Sequence, residues 1–387
     1  MKSIALSGTR GNVSGIPFMT TQAAMQRAGN NCGNLVFQYA VTNLVNEPVK
    51  VIGEDLPWDK KSLQENCRSM VIPSANFLRE GLDFTGYVNF LEQSNLPLTF
   101  IGLGAQADDF NKKEFDFHPS VLRLIDLIKE RCKKVSIRGE FTARVLERFG
   151  ITNYEITGCP SNFINQAPDF PEMIARKLQA PMRSFITHAD EPWPKKDIKK
   201  QTERRLVEWT RNGRAVMVQQ AVPRMIDYLR QNNPFAAPEV GPNFEASLAK
   251  TLMPGASMDE FAEFIAVKMR TYYSVEQWLE DSSRFDFSIG LRLHGNMAAW
   301  QSGTPALWIT HDSRTQELSD TMGLPNIGIE DFLENCATIE DAWERVEFDP
   351  EAYRQRRALL KSRLDSVLQA ADIPVRPLSH SPSQSSL

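Results

Sequence analysis

No apolar run in the 387 residues reaches the ~18 that a membrane-crossing helix needs. The opening stretch, MKSIALSGTRGN, has too few apolar side chains before Gly8 for the core of a secretory signal and reads as a first strand. Excess charge is missing too. The 44 basic side chains face 48 acidic ones, for a net charge of −4, so no electrostatic footprint for nucleic acid exists. Cysteine is sparse and scattered. Cys32, Cys67, Cys132, Cys159 and Cys336 form an odd set with no CxxC and no Cys/His cluster at zinc spacing. That excludes a disulfide framework, argues against a metal site and fits a reducing compartment. No repeat recurs at a solenoid period. These absences together predict a soluble, cytoplasmic protein with no nucleic-acid partner and at most peripheral membrane contact.

What is present is ordinary globular material, 42% apolar and 24% charged, long enough for about two to three domains. Strands are predicted at Ser3–Ser7, Pro48–Ile52, Met70–Ile72, Pro97–Leu103, Val135–Ile137 and Tyr154–Thr157. Helices fall between them at Leu35–Asn46, with Asn34 as a candidate N-cap, at Ser120–Cys132 and at Phe141–Phe149. The apolar face of the second includes Val121, Leu122, Leu124, Ile125 and Ile128. Strand–helix alternation of this kind argues for a parallel α/β sheet. Pro168, Pro171 and Pro181 interrupt it and mark a domain boundary. A second set follows: strands Ser184–Thr187, Ala215–Gln219, Ala306–Thr310 and Asn326–Ile329, with helices Lys199–Arg211, Pro223–Gln231, Asp259–Arg270, Ser274–Asp281 and Thr315–Met322. Residues 232–255 hold four prolines and read as irregular. The helix Glu351–Ala370 carries a stripe of Leu359, Leu360, Leu364 and Leu368. The predicted organisation is thus 1–170, 171–348, a C-terminal helix 349–372 and a Pro/Ser-rich disordered tail 373–387.

The chemistry concentrates in RFDFSIGLRLHGNMAAWQSGTPALWITHDSR, Arg284 to Arg314. A β-prone run containing Phe285, Phe287 and Ile289 leads to a turn, Arg292-Leu293-His294-Gly295, then a helix Asn296–Gln301 and the strand Ala306–Thr310. In open α/β sheets ligands sit outside the carboxyl ends of strands, where this turn stands. Free amides at a helix start favour an anion there. Arg292 can grip a carboxylate or phosphate as a fork, and His294 can pass a proton near neutral pH. The competing reading makes Arg292 a structural ion-pair partner and His294 a helix cap.

Several segments in order resemble the polysaccharide pyruvyltransferase family: GNNCGN, IGLGAQ, VSIRGEFTARVLERFGI, ITGCPS, GLRLHGNMAAWQSGTPAL and the ITHDSR…GLP tail, over roughly residues 29–327. The resemblance implies two Rossmann-like domains facing across a cleft, a GT-B-like arrangement, with the last helix crossing back. It implies an N-terminal acceptor side and a C-terminal donor side. The implied reaction moves the enolpyruvyl carbons of phosphoenolpyruvate onto two hydroxyls of a glycan sugar, releases phosphate and needs no other cofactor. The implied acceptor is a lipid- or nucleotide-linked glycan precursor in exopolysaccharide or cell-wall synthesis. On that footing Arg138, Arg292 and His294 are the candidate catalytic residues. Asn30, Asn31, Asn34, Gly104, Gln106, Gly295, His311 and Arg314 are the candidate substrate-binding residues.

Two departures stand out. The family carries Gly-Asp where this chain has Gly33-Asn34, and His188 and Asp190 stand where an arginine is frequent. Arg138 could instead pair with Glu140 or Glu130, Asp312 could be a plain helix cap, and the asparagines could simply make turns. A nucleotide-sugar glycosyltransferase and a non-catalytic glycan-binding homologue stay open as alternatives, as does a homo-oligomer.

Overall fold

The computed structural model describes residues 2–107, 112–190, 196–230 and 242–376. The first half is built on β1 (Ser3–Leu6), β2 (Val49–Val51), β3 (Cys67–Pro73) and β4 (Leu98–Ile101), all parallel, in the order β2-β1-β3-β4. The pair β5 (Val135–Ile137) and β6 (Tyr154–Ile156) extends it through a parallel bridge between Leu103 and Ile137. The second half holds β7 (Phe185–His188), β8 (Ala215–Val218), β9 (Met269–Arg270), β10 (Phe287–Gly290), β11 (Ala306–Thr310) and β12 (Asn326–Gly328). Their order is β12-β11-β10-β7-β8-β9, again all parallel. Read from its far edge this is the doubly wound order whose crevice opens between the first and fourth strands, here β7 and β10. The chain is therefore an α/β protein of two Rossmann-like halves, as predicted.

Five helices position the cleft: α1 (Gly33–Leu44), α2 (Glu140–Arg148), α3 (Leu293–Gln301), α4 (Ser313–Met322) and α5 (Pro350–Ala370). The halves share apolar cores. One cluster joins Ile4 and Leu6 of β1 and Phe37 and Val41 of α1 to Met297 and Trp300 of α3 and to Leu360, Leu364 and Leu368 of α5. A second joins Val36 of α1 to Ile186, Trp278 and Ala298. The loop after β1 pairs with the second half, with Val13 N–H donating to Tyr273 O at 2.8 Å and Val275 N–H to Gly11 O at 2.9 Å. Glu317 of α4 crosses the gap and accepts from the Thr142 amide in the first turn of α2 at 2.8 Å, satisfying a donor that no helical carbonyl can reach. Gly139 leaves room for it, since a Cβ there would lie 2.5 Å from Glu317 Cγ.

Several expectations need correction. The last helix crosses back as expected, yet Leu359 points outward and is 51% exposed, while Tyr353 and Val367 complete the buried stripe. Leu122 is likewise exposed, and Leu127 takes its place in the core. Helical spacing placed both within a turn of the true face, but only the packing partner selects it. Residues 232–241 of the predicted irregular stretch lie outside the described residues, but Pro242–Leu252 is helical, because a proline at the first helical position needs no amide partner. Residues 269–270, assigned to a helix, form β9. The tail is not loose at its start. Asn46 N–H donates to Pro374 O and Arg376 N–H to Leu44 O, both at 2.8 Å, so 373–376 close against the end of α1. Residues 377–387 lie outside the described residues. Among the described residues no helix is long and apolar enough to cross a membrane.

Leu364 is fully buried where α5 meets both halves. Leu364→Ala should cost about 2–5 kcal/mol in denaturant unfolding. A loss under ~0.5 kcal/mol, the usual size for a surface site, would show that the crossing helix is not part of the core.

Candidate functional site

Strand ends from both halves converge on a cavity of about 560 Å³. After β5 comes Arg138; after β7, Ala189-Asp190; after β8, Gln219-Gln220; after β10, Leu291-Arg292; after β11, His311-Asp312. Nine of the eleven residues singled out from the sequence line this cavity: Arg138, Arg292, His294, His311 and Arg314, with Asn30, Asn31, Asn34 and Gln106 at the first-half lip. Gly104 and Gly295 do not line it; both act one layer behind. A Cβ on Gly104 would lie 2.6 Å from Arg138 Cδ, so the missing side chain is the space the arginine occupies. A Cβ on Gly295 would lie 2.3 Å from Nδ1 of the buried His188, so that glycine lets α3 settle on β7.

Arg138 is 2% exposed, and among the described residues it has no carboxylate at ion-pair distance. The ion pair with Glu140 or Glu130 is not formed. Its Nε donates to Gly102 O at 3.0 Å, one Nη to Ser74 O at 3.4 Å and the other to Asn76 Oδ1. Only neutral oxygens hold the charge, and burial lowers the guanidinium's pKa from its ordinary value.

Arg292 differs. It donates to Asp190 Oδ1 at 2.7 Å, and Lys199 approaches Asp190 Oδ2 at 3.4 Å. Burial pushes the Asp190 carboxyl up, but Arg292 and Lys199 outweigh it and hold it below the usual range. The ion-pair reading of Arg292 is thus correct, and the residue still lines the cavity. Arg314 meets Asp312 Oδ2 at 3.3 Å, leaving its buried Nε without a partner. Asp312 does cap α4, accepting from the Thr315 amide at 2.8 Å, while also facing the cavity.

The predicted turn at Arg292–Gly295 is instead the start of a helix. Arg292 is the N-cap of α3, and His294 and Gly295 lie in its first turn. The half-buried His294 sits 5.2 Å from the Phe37 ring, with Nε2 3.5 Å from Cys159 Sγ. Burial, then Arg138 and Arg314, hold its pKa well below the ordinary value, so the imidazole is neutral in the empty cleft. Burial likewise pushes His311 down to about 4 despite Asp312 beside it.

Asn34 is not the N-cap of α1. It lies inside the first turn, and its amide nitrogen donates to Ala28 O at 3.2 Å and Gly29 O at 3.1 Å. A carboxylate there would face two carbonyls with no proton to give, so Asn rather than Asp suits this loop. Cys32 is the N-cap, and Asn31 just before it accepts from Gly33 N–H through its Oδ1 at 2.8 Å. Asn30 adopts a left-handed φ of 60°, a conformation asparagine tolerates.

Sequence reasoning missed Gln220, Lys199, Asn76 and the Cys159–His294 contact. Gln220 is 1% exposed with a buried, unpartnered Nε2, and it lies against Gly33, where a Cβ would sit 2.3 Å from its Oε1. Its place just past a strand's carboxyl end was the available signal. Nothing in the sequence distinguishes Lys199 within its charged helix.

Glu203, on the helix Asp197–Asn212, accepts from the Asp190 amide at 2.7 Å and is buried. Burial, then the Asp190 charge, raises its carboxyl to about 8. A carboxyl that binds its proton more tightly folded than unfolded stabilises the fold fully below its ordinary 4.5 and loses that contribution as pH rises through about 8. Glu203→Gln keeps the acceptor and removes the titration. Its melting temperature should match wild type near pH 5 and exceed it near pH 9; a pH-independent difference would refute the assignment.

No curated protein matches the chain. Among solved structures it is similar to a UDP-N-acetylglucosamine 2-epimerase from Rickettsia bellii, at 13% identity and TM-score 0.43, over 96% of this chain and 97% of that one. It is similar also to HepE from Anabaena in complex with UDP and glucose, at 10% identity and TM-score 0.46, over 96% and 98%. Likenesses this distant carry no chemistry. The family model described as polysaccharide pyruvyl transferase matches residues 40–313, a span that holds Arg138, Cys159, Arg292 and His294 together with most of both sheets. By that match the chain belongs to the polysaccharide pyruvyl transferase family.

Proposed function

We propose that this transferase moves the pyruvyl unit of phosphoenolpyruvate onto two hydroxyls of a glycan sugar, giving a cyclic ketal and inorganic phosphate. The observation that carries the reading is Arg138, a buried guanidinium in the cleft with no carboxylate at ion-pair distance among the described residues. A cation so placed is costly unless a bound anion completes it. Around it, Arg79, Lys199, Arg292 and Arg314 line the same cavity against the two carboxylates of Asp190 and Asp312. A small ligand carrying both carboxylate and phosphate matches that excess of positive charge.

His294 serves the proton steps. The empty site keeps it neutral; an arriving anion offsets the two guanidiniums and favours its protonation. Carbon 3 of the enol takes one proton and becomes the methyl group, and carbon 2 becomes electrophilic. One sugar hydroxyl attacks it. The second hydroxyl displaces phosphate and closes the ring, and the remaining hydroxyl proton leaves with the phosphate. The neutral amides of Asn31, Gln106 and Gln220 face the cavity as donors and acceptors for the sugar. The acceptor is a lipid- or nucleotide-linked precursor of an exopolysaccharide or wall glycan, used in the cytoplasm.

Phosphoenolpyruvate at 100 times its Kd should stabilise the fold by about 2.7 kcal/mol, read as a thermal shift. Arg138→Lys keeps the charge, loses the fork and should shrink the shift. His294→Ala should keep the shift while phosphate release on adding acceptor falls about 10²–10⁴-fold. Stabilisation by UDP- or GDP-sugars with none by phosphoenolpyruvate would replace this reading with a nucleotide-sugar glycosyltransferase.

A further inference from the structure

We infer that Cys159 is a positioning residue for His294: it engages Nε2 so that the imidazole presents Nδ1–H to the cleft. Cys159 lies in the turn between β6 and the short helix Pro160–Phe163, fully buried behind the cavity wall. Its Sγ accepts from Ser161 Oγ–H at 2.9 Å. That hydroxyl occupies one lone pair of a sulfur buried away from water. The thiol proton then needs an acceptor, and His294 Nε2 stands 3.5 Å away.

A neutral imidazole accepts at one nitrogen and donates at the other. With Nε2 accepting from the thiol, the proton must sit on Nδ1. Among the described residues nothing holds Nδ1, and His294 lines the cavity. The result survives the other charge distribution. If Cys159 gave its proton to the ring, Nε2–H would face a thiolate and Nδ1 would still carry hydrogen. Burial keeps the thiol pKa up against the pull of Arg138, which favours the neutral pair. The charged and titratable groups that act on the ring are Arg138 and Arg314, with Cys159 in contact, and both guanidiniums oppose a second proton.

This deepens the role given to His294 and rests on that reading for its consequence alone. While neutral, the ring meets a ligand oxygen as a hydrogen-bond donor, not as a base. It becomes an acid only when the bound anion lets Nε2 take a proton. Cys159 thereby sets which nitrogen delivers, without touching substrate.

The test is the tautomer itself, read by long-range ¹H–¹⁵N correlation of the full chain labelled at its histidines. There are five, and His294→Ala identifies the resonance. Wild type should show protonated Nδ1 and unprotonated Nε2 at pH 7.5 without ligand. Cys159→Ser should retain that pattern, since its hydroxyl also donates. Cys159→Ala should relax toward the Nε2–H form that imidazole prefers in water, and its kcat should fall about tenfold or more while the KM for phosphoenolpyruvate stays within about twofold. An Nε2–H tautomer in wild type, or an unchanged pattern in Cys159→Ala, would overturn the inference. The spectrum needs no substrate, so it stands even if phosphoenolpyruvate proves not to be the donor; loss of the phosphoenolpyruvate shift in wild type would sink the function and leave the tautomer untouched.

Discussion

A guanidinium held only by neutral oxygens governs this molecule. Arg138 donates to two backbone carbonyls and one amide, and among the described residues no carboxylate reaches ion-pair distance. Such a charge is tolerable when its donors are satisfied and its remaining field falls on a ligand site. The surroundings follow from that need. Gly104 has no side chain because the arginine's stem lies there. Asn76 is an amide that accepts without adding charge. The nearby imidazole stays neutral because burial, then Arg138 and Arg314, oppose a positive charge on it.

Convergence of this kind requires the halves to be fixed relative to one another, and apolar packing does so. The cluster through β1, α1, α3 and α5 belongs to neither half alone. Polar links reinforce it at the places where backbone would otherwise be left unpaired. Glu317 completes α2 from α4, and residues 374–376 close on α1. The cations of the second half differ in kind from Arg138. Arg292 and Arg314 each have a carboxylate, which orients them at the cavity wall while leaving part of each fork for a ligand. One half thus supplies an unbalanced charge and the other a pre-aligned pair.

The elements that were legible were those whose signal is local. Buried strands such as Leu98–Ile101 and Phe287–Gly290 announce themselves by β-prone apolar side chains, the second in alternation with small ones, and α5 by its spacing. The RLHG segment was placed correctly at a strand end but read as a turn, since glycine and histidine look unhelical out of context. Its helix begins earlier because α3 is wedged between β10, α1 and the second sheet, and tertiary packing overrides a weak propensity. Short helices such as Thr21–Arg27 and Thr85–Ser94 were missed for the same reason: each is stabilised by what it covers.

By itself the chain of residues determined the parallel α/β class, the two-sheet division and the identity of the cationic and imidazole groups, because periodicity and residue chemistry are properties of short stretches. Which arginine would carry a counter-ion was decided only by folding. Arg138 and Arg292 are equivalent on paper; one meets Asp190 and the other meets carbonyls, because β7 ends beside β10 while β5 ends beside Gly102. Folding likewise brought Cys159 to His294 across 135 residues, a contact that no spacing rule encodes. Strand order sets such neighbours, and strand order belongs to the sheet as a whole.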